Sequence, residues 1–133
     1  MRQMWMAGAA IGILAMPGIG NAACSSVSGN GTWDVYSTVV TGTAGWNSCS
    51  ATVDNGVVSG NCVTNAGANN TVRGTLTVDA NCRLHGSLTH TFPGGTQYTV
   101  AIAQATLGAA NAVIMGAARS STGQAVTFQG IRR

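Results

Sequence analysis

The sequence has no lysine and no glutamate, and its charged side chains are six arginines and three aspartates. Charged residues make up only 7% of the chain, and the net charge of +3 is too small for the basic surface that nucleic-acid binding requires. Lysine and glutamate are common on the solvent-exposed faces of helices, so a composition without them disfavours helices. Serine, threonine, asparagine and glycine must provide the soluble surface instead.

Catalytic and metal-binding patterns are also lacking. Asp34 is the only aspartate outside a predicted turn, which almost excludes a pair of carboxylates for acid–base chemistry. His85 and His90 have an odd spacing on one predicted strand, so they point to opposite faces and cannot form a metal pair there. We interpret them as ordinary surface or packed histidines. With the cysteines oxidised, no nucleophile and base can be paired, and we expect no enzyme, no cofactor and no metal.

The N-terminus has the order of residues that a secretory signal peptide shows. Arg2 is followed by an apolar run over residues 4–16 and by small residues at 20–23. The apolar run is shorter than the about 20 residues of a membrane-spanning helix. We therefore predict a signal peptide over residues 1–22, a periplasmic or secreted protein, and no transmembrane segment in the mature chain.

Two alternatives concern the processing of this segment. Cleavage after Ala22 leaves small residues at the positions that signal peptidases require, and cleavage after Ala23 is the close alternative. A lipoprotein would carry its lipid on Cys24, but Asn21 stands where such signals have an apolar residue. Simple secretion is therefore favoured over lipidation.

The remaining residues 23–133 are enough for one domain with one core. All four cysteines lie in this part, and an even number of cysteines in an exported chain indicates disulfides. Four cysteines allow three connectivities.

Residues 49–62, CSATVDNGVVSGNC, select one of these connectivities because they predict a β-hairpin with a defined register. Asn55-Gly56 lies between β-branched runs and is typical of a type I′ turn, in which both central residues need a positive φ. Cys49 then faces Cys62 as a non-hydrogen-bonded pair, with Cα atoms about 4.5 Å apart, within reach of a disulfide. The same register pairs Val53 with Val58, Thr52 with Ser59, and Ala51 with Gly60.

A Cys49–Cys62 bridge leaves Cys24 and Cys82 for the second disulfide. By the loop-entropy model the first bridge contributes roughly 3 kcal/mol and the second roughly 4 kcal/mol. Both disulfides are predicted to be structural.

A second hairpin is predicted over residues 71–90. We expect a three-residue loop, Asp79-Ala80-Asn81, with Asn81 in the left-handed conformation. This register places Arg73, Thr75, Arg83 and His85 on the outer face. On the other face it pairs Val78 with Cys82, Leu76 with Leu84, Gly74 with Gly86, and Val72 with Leu88.

Alternating patterns predict further strands at 32–40, from 96 into the alanine-rich segment, at 112–119 and at 124–132. Residues 101–112 are compatible with a strand or a short helix. Eight short strands joined by tight turns predict an all-β, antiparallel, up-and-down meander that closes into a barrel and so removes its exposed edges. A membrane barrel is disfavoured, because such barrels have aromatic girdles and this chain has few aromatic residues.

Gly31-Thr32-Trp33 at the start of the first strand and Arg132 at the end of the last strand resemble the calycin pattern of lipocalins and avidins. The resemblance implies that the early tryptophan plugs one end of the barrel and that the arginine packs across it. It implies no set of ligand contacts, and the four cysteines are not part of the resemblance.

The aromatic residues suggest a function. An eight-stranded barrel has room for its own side chains or for one small ligand, and five aromatic residues are candidates for lining a ligand cavity: Trp33, Trp46, Phe92, Tyr98 and Phe128. The alternative is that Trp33, Tyr98 and Phe128 simply fill the barrel, and for these residues filling is favoured over a ligand cavity. The leading hypothesis is a non-enzymatic module that binds a small apolar or amphiphilic ligand. The second is a protein-interaction module, either an inhibitor of an exported enzyme or a component of a surface assembly.

Overall fold

The computed structural model describes residues 23–108 and 110–133, so the predicted signal peptide at 1–22 lies outside the described residues. Within the described part the chain forms eight strands: β1 Gly31–Val39, β2 Gly45–Asp54, β3 Val57–Thr64, β4 Asn69–Val78, β5 Leu84–Thr91, β6 Gln97–Gly108, β7 Val113–Ser120 and β8 Ala125–Arg132. Each strand pairs antiparallel with the next, and β1 pairs with β8. The predicted eight-stranded, up-and-down closed barrel is confirmed.

No helix among the described residues has the length and apolar character needed to cross a membrane.

The first hairpin forms as predicted, because its turn chemistry is local. Asn55 and Gly56 have φ values of 48° and 85°, the positive values that a type I′ turn requires. Cys49 pairs with Cys62, with Cα atoms 4.0 Å apart and a disulfide between them. The other three predicted pairs are also found. The bridge faces the barrel interior, and the remaining cysteines form the predicted Cys24–Cys82 disulfide.

The predicted register of the second hairpin is wrong by two residues. Val78 pairs with Leu84 rather than Cys82, and the other pairs move with it: Leu76 with Gly86, Gly74 with Leu88, and Val72 with His90. The three-residue loop is present but begins one residue later, so Cys82 has the left-handed φ of 63° that was predicted for Asn81.

The side chain of Asp79 explains this position of the loop. Its carboxylate accepts hydrogen bonds from the backbone N–H groups of Asn81 and Arg83, at 2.9 and 3.0 Å. Cys82 is held by its disulfide to Cys24, and its carbonyl accepts the N–H of Leu107 from β6. A shift of two residues leaves every side chain on its predicted face, so the apolar pattern alone could not detect it.

The alanine-rich segment continues β6 as a strand to Gly108 and forms no helix there. The register shifts between Ile102 and Gln104, where a β-bulge inserts one residue. Before the bulge the even-numbered residues face inward, and after it Ala105 and Leu107 are buried. The bulge therefore keeps both halves of a long strand in contact with the core.

Glycines on the inner face allow neighbouring strands to lie close together. A Cβ atom on Gly60 would lie 2.3 Å from the carbonyl oxygen of Ser50, and one on Gly74 would lie 2.1 Å from that of Ser87. A side chain at either position would force neighbouring strands apart. Neither glycine lines the interior cavity, so these residues permit close approach of strands rather than adding space for a ligand.

One end of the barrel is closed by the segment 23–30. The Cys24–Cys82 disulfide ties this segment to the loop before β5. Trp33 is 2% exposed, and its indole N–H donates to the carbonyl of Gly29 at 2.9 Å. The guanidinium carbon of Arg132 lies 5.3 Å from the centre of the Trp33 ring, and the same group donates to the carbonyls of Ser28 and Asn30. We call this the closed end.

Candidate functional site: an interior cavity open at one end

The barrel contains a cavity of about 460 Å³. Its lower part, next to the closed end, is lined by aliphatic side chains such as Val53, Val58, Leu76, Leu84 and Ile114. Its upper part reaches the opposite end of the barrel, where the exposed residues Asn65 and Gln97 and the half-exposed Trp46 belong to the lining. We call this opening the mouth.

The mouth carries no ionisable residue in its connecting loops. The segments 40–44, 65–68, 92–96 and 121–124 read VTGTA, NAGA, FPGGT and STGQ. All three aspartates lie instead on the half of the barrel towards the closed end, together with Arg132 and Arg133. A ligand that enters through the mouth therefore meets polar but uncharged groups.

All five aromatic residues that the sequence singles out lie along this one cavity. Trp33 lies at its floor, and Phe128 lines the wall from β8. Trp46 and Phe92 flank the mouth, and the ring of Phe92 is 5.9 Å from that of Tyr98. Their common location is a fact of the fold, whereas contact with a ligand stays a prediction.

Sequence reasoning missed a buried polar cluster just below the mouth, formed by Asn47, Asn70 and His90. Each of the three is at most 6% exposed. Nδ1 of His90 lies 2.8 Å from Oδ1 of Asn70, and Nδ2 of Asn70 donates to Oδ1 of Asn47 at 3.5 Å. The His90 ring stacks on Tyr98 with centroids 4.7 Å apart and an interplanar angle of 10°. His90 thus lies inside the barrel, while His85 lies outside and contacts Asp79.

The ionisation of the cluster follows from its burial. Removal from water lowers the pKa of His90 to about 4 from its usual 6.5, because burial penalises the charged imidazolium. Burial likewise raises the pKa of the Tyr98 phenol, and a hydrogen bond with Asn47 offsets part of that rise. At neutral pH the cluster is uncharged.

We expect the stability of the barrel to fall as the pH is lowered from 6.5 to 4. Across this range the unfolded chain protonates His90 and the folded protein does not, so the unfolded state binds more protons. The shift corresponds to roughly 3 kcal/mol of unfolding free energy lost by pH 4, at about 1.4 kcal/mol per pH unit. Chemical denaturation between pH 4 and 7 measures this slope.

The matched variants for this experiment are His90→Gln and His85→Gln. The first should flatten the slope and the second should preserve it. A hydrogen bond from Arg133 lowers the pKa of Asp34, and one from His85 lowers the pKa of Asp79. These carboxylates therefore lose their stabilising interactions at pH values below the range of this experiment. An unchanged slope in His90→Gln would contradict the attribution of this pH dependence to His90.

The sulfur atoms of Cys49 and Cys62 lie near a ring nitrogen of His90, all within 4.8 Å of one another. The two sulfurs form a disulfide, and a metal ligand would have to be a thiolate. Cys49 and His90 therefore line the cavity, and the group is not a metal site in the oxidised protein.

No family model matches the sequence, and no curated protein matches it. Solved structures of designed β-barrels do match the fold. The redesigned β-barrel mFAP1, bound to DFHBI, is 20% identical over 80% of this chain and 95% of its own, with a TM-score of 0.61. The redesigned β-barrel mFAP0, bound to DFHBI, is 19% identical over 79% and 99% of the two chains, with a TM-score of 0.63.

A third match is a fluorescence-activating β-barrel designed de novo, which is 12% identical over 78% of this chain and 93% of its own, with a TM-score of 0.52. At these identities the likeness shows the fold alone.

Proposed function

We propose that this protein is an exported, non-enzymatic binding module that holds a small apolar or amphiphilic ligand inside the barrel. The observation that carries the proposal is the cavity, which has Trp33 at its floor, aliphatic side chains in its lower part, aromatic residues towards the mouth and uncharged loops around the mouth. Its volume lies in the range of about 300–1,000 Å³ that small-molecule sites occupy. The proposal assigns no catalytic step and no cofactor.

Two likenesses support this choice. The designed barrels mFAP1 and mFAP0, which share the fold, carry the small molecule DFHBI. The contact between Trp33 and Arg132 at the closed end is the arrangement that a calycin resemblance implies. We therefore propose a lipocalin-like mode of binding, with the closed end as a plug and the opposite end as the entrance.

Export is part of the proposal and is supported by the disulfides. Both bridges are compatible with an oxidising compartment, and disulfides rarely persist in the cytosol. We propose a periplasmic or secreted location.

The proposed ligand contacts are the five aromatic residues along the cavity. Trp33 would meet the innermost part of the ligand and Phe128 its middle. The mouth residues Trp46, Phe92 and Tyr98 would surround the outer part.

We expect Ala118→Phe to abolish ligand binding while the barrel stays folded. Ala118 lies on the inner face of β7, is 4% exposed and lines the cavity. A phenyl ring at this position projects into the cavity below the mouth and occupies space that a ligand needs. Binding is measured as the fluorescence gain of a solvatochromic dye titrated with protein, and circular dichroism reports on the fold.

Ala117→Phe is the matched control, because the neighbouring residue on the same strand is absent from the cavity lining. It should leave dye binding unchanged. Equal dye binding by both variants and by the unaltered protein would show that the dye does not use the cavity and would refute the proposal.

A protein-interaction role is the second candidate, and one observation favours it. Tyr36, Met115 and Ile131 are large, exposed apolar residues on the adjacent strands β1, β7 and β8. Gln129 separates Tyr36 from Met115, so the apolar strip is interrupted. The interior cavity is the more specific feature, and for this reason ligand binding is placed first.

A further inference from the structure

We propose that the ligand is an uncharged amphiphile with a hydroxyl group, whose hydrogen is donated to Nε2 of His90 while its apolar part extends towards Trp33. This inference rests on the proposed binding function and specifies the chemical class of the ligand. It also predicts the orientation of the ligand, with the hydroxyl head near the mouth and the tail at the closed end.

The absence of charge in the cavity selects an uncharged ligand. Among the described residues that line it, none is an aspartate or an arginine, and His90 is the one ionisable side chain besides Tyr98. Burial keeps both of these groups neutral at physiological pH. A carboxylate or ammonium head would lose its hydration and find no counter-ion, which costs several kcal/mol.

The distribution of polar groups determines the orientation. Polar lining residues cluster towards the mouth, where Asn47, His90, Gln97 and Gln124 are found. Towards the closed end the lining is aliphatic or aromatic, and it ends at Trp33. An amphiphile places its tail in the lower part and its head at the level of His90.

The hydrogen bonding of His90 determines which kind of head group fits. Its Nδ1 lies 2.8 Å from the amide oxygen of Asn70 and 3.4 Å from the amide nitrogen of Asn47. The contact with Asn70 is much the shorter and needs a proton between the two atoms, so we place the proton on Nδ1, which donates it to Asn70. Nε2 is then the unprotonated nitrogen with a free lone pair. Nε2 makes no hydrogen bond within the described part of the chain. It is also not fully buried: among the described residues, Nε of Arg132 is the one fully buried side-chain nitrogen or oxygen without a partner.

An acceptor without a partner in the protein calls for a donor from the ligand. Asn70 is occupied by His90 and Asn47, so these groups leave Nε2 as the open acceptor of the cluster. A hydroxyl supplies that donor without bringing a charge. An ether of the same length supplies an acceptor only and leaves Nε2 unpartnered.

The test is a set of four probes with one chain length: octanol, octyl methyl ether, octanoate and octylamine at pH 7, each competing with a bound solvatochromic dye. Octanol should bind most tightly. The ether should bind roughly 3- to 10-fold more weakly, which corresponds to the loss of one neutral hydrogen bond. The two charged probes should bind more weakly than the ether.

His90→Phe extends the test, because phenylalanine retains a ring beside Tyr98 and removes the acceptor. The preference for octanol over the ether, taken as the ratio of the two affinities measured on the same variant, should disappear. His85→Phe, on the outer face, is the matched control and should keep the preference. The four probes test the unaltered protein even if His90→Phe does not fold.

The outcomes separate this inference from the proposed function. If the ether binds as tightly as octanol, or if octanoate binds as tightly, the hydroxyl assignment is overturned and the binding function stands. If neither octanol nor the ether displaces the dye and the dye itself binds Ala118→Phe normally, the binding function fails as well.

Discussion

Trp33→Ala should lower the free energy of unfolding by about 3–5 kcal/mol, the range found when a buried tryptophan is truncated. The residue is 2% exposed and forms the floor of the cavity. Its loss removes the apolar contacts of the ring, leaves the carbonyl of Gly29 without its indole donor, and removes the surface on which the Arg132 guanidinium packs. Urea denaturation followed by circular dichroism measures the change.

Trp33→Phe separates these contributions. It preserves an aromatic ring beneath Arg132 but removes the hydrogen bond to Gly29, so we expect a smaller loss than in Trp33→Ala. Tyr36→Ala serves as the control, because Tyr36 lies on the same strand and is 55% exposed. If Trp33→Ala destabilised the protein no more than Tyr36→Ala, the closed end would not depend on this residue.

The double variant Cys24→Ala/Cys82→Ala should lower the free energy of unfolding by roughly 4 kcal/mol, more than the roughly 3 kcal/mol expected for Cys49→Ala/Cys62→Ala. The sequence separations of the two bridges are 58 and 13 residues, and a longer closed loop restricts the unfolded chain more. The first bridge also fastens the segment 23–30 over the closed end, so its removal should expose Trp33 as well.

Urea denaturation compares the free energies of unfolding of the two double variants. Quenching of tryptophan fluorescence by iodide measures the exposure of Trp33. In the protein cleaved after residue 22, Trp46 is the other tryptophan and is 50% exposed, and Trp46→Phe removes its contribution to the signal. If the variant without the Cys49–Cys62 bridge were the less stable one, chain entropy would not govern the contribution of these disulfides.

Local sequence was sufficient for the first hairpin but not for the second. Asn55-Gly56 selects its turn type without help from the rest of the molecule. The sequence from Asp79 to Arg83 allows a three-residue loop in two positions, and both sort the side chains identically. In the folded barrel the loop takes the later position, in which Cys82 forms its disulfide with Cys24 and its hydrogen bond with β6. These contacts join parts of the chain that are distant in sequence, so local sequence could not reveal them.

The candidate site was predictable in its aromatic part. Trp33, Tyr98 and Phe128 lie on apolar faces of predicted strands, so a closed barrel must bring them inside. The polar cluster was not predictable, because Asn47, Asn70 and His90 come from three strands and meet only when the registers are correct. One signal was present: His90 has the same parity along its strand as Leu84 and Leu88, which places it on the inner face.

Outside residues 101–112, the sequence by itself determined the strand content and the face that each strand buries, and it also determined the closed meander and the two disulfides. These features depend on the period of two in the apolar pattern and on turn chemistry, which act over a few residues. Only the tertiary structure decided the register of the second hairpin, the bulge in β6 and the cavity. Each of these depends on contacts between strands, and a cavity is the space that distant side chains leave between them once the barrel has closed.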